Sequence, residues 1–147
     1  MKAFRMLFAL VLLLPLHALH AQITERALMS VNIPFAFTVE NTRMPAGHYV
    51  IYSELGHEWK LASSIRGGNT FFHIYPTETP GLPARSKLIF RRYEKDYVLH
   101  EIDEGGTKIK ATLAPGNRER QLLRGNAQPE IAMVDAQSGA QVGMRRE

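Results

Sequence analysis

The chain has 147 residues, no cysteine, 18 Lys and Arg against 14 Asp and Glu, and a formal net charge of +4. Without cysteine there is no disulfide, thiolate nucleophile or thiolate ligand, so packing and sheet hydrogen bonds must hold the fold. Lys2 and Arg5 belong to an N-terminal leader; the rest carries 16 basic and 14 acidic side chains, a surplus too small to suggest nucleic-acid binding despite a sequence pI near 9.6.

In chain order, Lys2 and Arg5 precede an apolar run from Met6 to Leu16. That run is too short to span a bilayer and suits a secretory h-region. Residues 1–21 therefore read as a signal peptide, cut between Ala21 and Gln22. Residues 22–136 read as a single β domain, large enough to bury about two-thirds of its unfolded surface, and 137–147 as a flexible tail. The mature chain is expected in the periplasm or outside the cell, with no transmembrane segment and no cysteine to take a lipid anchor.

Val31, Ile33, Phe35, Phe37 and Val39 recur at every second position, which predicts one strand with an apolar face. Pro34 lacks an N–H and so implies a sheet edge or a bulge within that strand. A polar gap from Glu40 to Met44 leads through Pro45 and Gly47 into a second strand, His48 to Leu55. Gly56-His57 connects to Glu58 to Ser63, and Arg66-Gly67-Gly68-Asn69 turns into Thr70 to Tyr75. Pro76, Pro80, Gly81 and Pro83 make residues 76–84 read as an exposed loop. Ser86 to Tyr93 and Tyr97 to Asp103 form a hairpin around Glu94-Lys95-Asp96, and Glu104-Gly105-Gly106 leads to a strand near Lys108 to Leu113. Asn117 is placed to cap a short helix, Arg118 to Arg124, closed by Gly125, with Leu122 and Leu123 as its packing face. Glu130 to Ala136 is the last predicted strand. The sum is an all-β antiparallel sandwich or small barrel of seven to eight strands, arranged as a meander, with one short C-terminal helix.

The residues Ile33-Pro34-Phe35-x-Phe37, Pro45-Ala46-Gly47-x-Tyr49, Lys87-Leu88-x-Phe90-x-Arg92-Tyr93 and Tyr97-x-Leu99 resemble a pattern found in a group of small exported bacterial β-rich proteins of unknown function. The resemblance covers roughly residues 30–125 and implies an exported β fold. It implies no catalytic residue, because the group carries no established activity.

The most suggestive cluster is basic and aromatic: Arg85, Lys87, Arg91, Arg92 and Lys95 among Phe90, Tyr93 and Tyr97. Lys87, Arg91, Arg92 and Tyr93 are the candidate binding residues, since cations beside flat rings suit an anionic or stacking partner. Strand charges also discourage edge-to-edge association, which is the structural explanation of the same residues. His48, His57, His73 and His100 form no short metal-binding motif, and His48 with His100 is the best-placed pair. No serine sits in a Gly-x-Ser-x-Gly context, and Glu101, Asp103 and Glu104 are the acids nearest together. The expectation is therefore an exported, non-catalytic binding or envelope-associated module with no cofactor and no metal. Its contact surface would be residues 76–84 and the basic hairpin, and its partner an unidentified protein, polymer or small molecule. A small-ligand carrier with a barrel cavity and a hydrolase are the alternatives.

Overall fold

The computed structural model describes residues 25–54, 56–64 and 68–139. The expected leader with its cleavage point at Ala21 and Gln22, the Arg66 and Gly67 part of one turn, and the tail from residue 140 lie outside the described residues. The strands are β1 (Arg26–Ile33), β2 (Phe37–Val39), β3 (Thr42–Met44), β4 (Gly47–Ser53), β5 (Glu58–Ser63), β6 (Asn69–Glu78), β7 (Ser86–Tyr93), β8 (Asp96–Asp103), β9 (Ile109–Leu113) and β10 (Glu130–Ser138), with one helix, α1 (Asn117–Arg124).

The strands follow one another around a ring in the order β8, β7, β10, β1, β4, β5, β6, β9, and β9 pairs back onto β8. The result is a closed antiparallel barrel of eight strands, which leaves no free edge around the ring. Only β4–β5–β6 and β7–β8–β9 are meanders. The expected single meander is interrupted by β10, which inserts between β1 and β7, and by the β6–β9 pairing.

The β2–β3 hairpin stands outside the ring. β2 runs parallel to the start of β8, with Phe37 beside Tyr97 and Thr38 beside Val98. β9 takes the other half of the same edge, from Glu101 to Asp103.

Several boundaries differ from the sequence expectations. The strand expected over Val31 to Val39 is broken after Ile33, because Pro34 cannot donate to a neighbour in the wall of the ring. Phe35, in the break, stacks on Tyr97 with ring centroids 3.8 Å apart and meets the edge of Phe90 at 5.2 Å. The apolar period thus survives the interruption of the strand. The polar gap after Val39 holds a strand of its own, β3, reached through a two-residue loop in which Glu40 takes φ +50°.

β6 does not stop at Tyr75 but pairs through Glu78 with β9, which shortens the expected loop. Pro76 is tolerated there for a geometric reason. The Ile74 N–H donates towards β5, to the His57 carbonyl, so the missing donor two residues on faces the space beyond the end of β5. In the tail, Gln137 and Ser138 pair with Ser30 and Met29. The helix is preceded by Gly116 as its capping residue, not Asn117, and the left-handed position after it is Asn126, φ +58°, not Gly125.

The core is the inside of the barrel: Met29, Ile33, Tyr49, Ile51, Leu61, Phe72, Leu88, Phe90 and Ile102 are all fully buried. The alternate side chains face outward and mix charged residues with exposed apolar ones such as Phe71, Tyr75, Ile131 and Met133. Lys87, Asp103 and Lys110 stand side by side across β7, β8 and β9.

The Pro45-Ala46-Gly47-x-Tyr49 motif has a structural explanation of its own. The buried Tyr49 hydroxyl donates to the Pro45 carbonyl at 2.6 Å, and burial raises its pKa above the ordinary value.

Candidate functional site

The basic hairpin folds with its cations already engaged. Inward positions of β7 carry Leu88 and Phe90, so Lys87 and Arg91 point outward. Lys87 Nζ lies 3.3 Å from Asp103. Arg91 donates to Glu119 Oε1 at 3.1 Å, and the Tyr93 hydroxyl donates to the same oxygen at 3.0 Å. Arg92 is the most open of the four candidates: it donates to the Glu94 carbonyl, pairs with Glu130 at 3.4 Å, and lies over the Tyr97 ring.

Glu119 is the buried residue of α1, only 2% exposed, whereas Leu123 is 40% exposed. The helix is therefore pinned to the outer wall by a carboxylate; of the two leucines expected as its packing face, Leu122 is half-buried and Leu123 exposed. Arg118 adds a pair with Asp96 at 3.1 Å. Val98, opposite Arg91, and Tyr93 are buried on this outer side, apart from the main core cluster. Desolvation, then the Glu119 hydrogen bond, raises the Tyr93 pKa. His100 is the extra residue where the β7–β8 register shifts. Desolvation first, and then the Arg91 charge, lowers its pKa.

The histidines and acids weighed in the sequence are not brought together. β4 and β8 are opposite walls of the ring, so His48 and His100 cannot share a ligand. Among the described residues no three His, Cys, Asp or Glu side chains group as a metal site. The three neighbouring acids each have a separate cation: Glu101 with Lys110 at 2.9 Å, Asp103 with Lys87, and Glu104 with Arg26 at 3.4 Å. One Asp103 oxygen, Oδ1, is buried without a hydrogen-bond partner among the described residues.

Among the described residues, two open recesses stand out. The larger, about 600 Å³, is an open groove among Arg85, Ser86, Gly105, Asp135 and Gln137. It borders Ser138, close to where the chain passes into residues 140–147. The smaller, about 180 Å³, lies where the β2–β3 loop, the outer face of β6 and the start of α1 meet; it is lined by Glu40, Asn41, His73, Tyr75, Pro115, Gly116 and Arg120 among others.

This second recess is built by close backbone contact. A Cβ on Gly116 would sit 1.7 Å from the Glu40 carbonyl oxygen, so only glycine lets the loop approach the helix. Asn41 Oδ1 accepts from the Asn117 N–H at 2.8 Å and caps the helix from another element. Glu40 Oε1 accepts from the His73 backbone N–H at 2.9 Å, beyond the point where β9 ends. Arg120 is held by the Pro115 carbonyl at 2.7 Å and by Asn117. In the sequence Asn117 reads as a helix cap and His73 as one of four histidines, and nothing there joins them to Glu40, Asn41 or Tyr75. The visible signal was the outward period of Phe71, His73 and Tyr75; the loop and helix residues that meet it come from distant positions.

No family model, curated protein or solved structure matches the chain.

Proposed function

We propose that the protein is an exported, non-catalytic binding module that meets its partner on the outside of the barrel. The observation that supports this most is the filling of the interior. Phe37, Tyr49, Phe72, Phe90 and Met29 are buried to 1% exposure or less, and the two recesses described above are open rather than enclosed. Closed eight-strand barrels also serve as carriers, but here the inward positions are occupied by large apolar side chains. The acids that a hydrolase would need to converge are divided among separate ion pairs. Export rests on the apolar run from Met6 to Leu16 behind Lys2 and Arg5, and on the resemblance to exported β-rich proteins.

The test is capture from an exported fraction by immobilised chain 22–147, with polymers, proteins and small molecules all identified by mass spectrometry. A retained macromolecule that free protein competes away is the expected result. A co-purifying apolar small molecule would support the carrier instead, and turnover of the captured polymer would contradict a non-catalytic role.

A further inference from the structure

We propose that the recess at Tyr75, extended along β6 to Phe71, binds a neutral polysaccharide chain; this deepens the binding-module reading and rests on it. The outer face of β6 presents Phe71 and Tyr75 at 54% and 59% exposure, with His73 between them. Four residues at about 3.3 Å each separate the two rings by roughly 13 Å along the strand, a span suited to an oligomer of several sugar rings.

The C–H faces of pyranoses stack on flat aromatic rings, and their hydroxyls need both donors and acceptors at the ring edge. The recess supplies both. Glu40 Oε1 is held by the His73 N–H, while Oε2 has no hydrogen-bond partner among the described residues. Asn41 is held through Oδ1, which leaves its amide NH₂ to donate. Arg120 is fixed by the Pro115 carbonyl and Asn117. Glu40 and Asn41 are each anchored by one contact and Arg120 by two, and each keeps capacity for another, the arrangement that lowers the ordering cost of binding.

Glu40 and Arg120 oppose one another in charge, with His73 Nδ1 3.9 Å from Glu40. This balance favours an uncharged ligand over a polyanion. A recess of about 180 Å³ is small for a drug-sized ligand and suits a single sugar ring, with Phe71 as a second platform for the same chain.

The experiment is calorimetric titration of the folded protein with cellohexaose, chitohexaose, maltohexaose and laminarihexaose, with polygalacturonate as the charged comparison. At least one neutral hexasaccharide is expected to bind. Tyr75→Ala should weaken it by about tenfold or more, and Phe71→Ala should weaken the hexasaccharide more than the matching disaccharide. Both side chains are exposed, so an unchanged melting temperature certifies that the variants fold. Glu40→Gln keeps the carbonyl oxygen that accepts from His73 and should weaken binding less than Tyr75→Ala. Silence with every neutral sugar, binding of polygalacturonate alone, or affinity unaltered by Tyr75→Ala overturns the proposal. If the sugars fail while the capture experiment retains a partner, the site assignment falls and the binding-module reading stands; if both fail, both fall.

Discussion

The β7–β8 hairpin and the recess on the outer face of β6 both set cations and acids beside aromatic rings, yet they use them differently. On the hairpin, Lys87, Arg91, Tyr93 and Arg92 each have a partner within the chain. On β6, Phe71 and Tyr75 are more than half exposed, and the polar groups around Tyr75 are anchored without being exhausted. A basic aromatic cluster in a sequence is therefore not yet a binding surface. What matters is whether the fold has already supplied its counter-charges.

The largest effect should come from Glu119. Glu119→Ala leaves Arg91 and the buried Tyr93 hydroxyl without their shared acceptor. It should cost about 2 to 3 kcal/mol in urea unfolding. A loss no greater than that of an exposed helix substitution would mean that the carboxylate does not pin α1. Next is Gly116→Ala, whose Cβ would meet the Glu40 carbonyl; pushing the loop off the helix should cost about 1 to 3 kcal/mol and also reduce any ligand binding at the recess. A fully stable variant with intact binding would refute the close approach.

Much of the barrel was legible because strand period is a local signal. The inward sets of β1, β4 and β7 follow directly from alternation, with Ile33, Tyr49, Ile51, Leu88 and Phe90 all buried. The order of strands was not legible. Nothing near Glu130 in the sequence specifies that β10 inserts between β1 and β7, since that is decided by which arrangement closes the ring. Glu119 was hidden for the same reason. It reads as one acid in a polar helix, and its partners on β7 lie 26 and 28 residues away. The recess at Tyr75 combines a loop, a strand and a helix that meet only after closure. Pro76 misled in the other direction: as a breaker it suggests a loop, but its missing donor falls beyond the end of β5, where no partner is lost.

Two smaller effects sharpen the comparison. The folded state holds the His100 pKa below its ordinary 6.5 through desolvation and Arg91, so the unfolded chain binds more protons there. The His100 contribution is full above about pH 6.5 and is lost as pH falls through that value towards the lowered one. Melting temperature measured from pH 8 to pH 5 should decline on the acid side, and less steeply in His100→Gln. Parallel profiles would separate His100 from the effect. Smallest is Arg92→Gln, which removes a half-exposed pair with Glu130 and should change stability by no more than about 0.5 kcal/mol.

The most direct measurement is thermal unfolding of Arg91→Glu beside Tyr75→Ala. If the hairpin cations serve the fold and the β6 aromatics do not, Arg91→Glu sets a second carboxylate against buried Glu119 and should lower the melting temperature by about 10 °C. Tyr75→Ala should leave it within a degree or two. An Arg91→Glu variant that melts with the parent, or a Tyr75→Ala variant that loses as much as Arg91→Glu, would contradict that division.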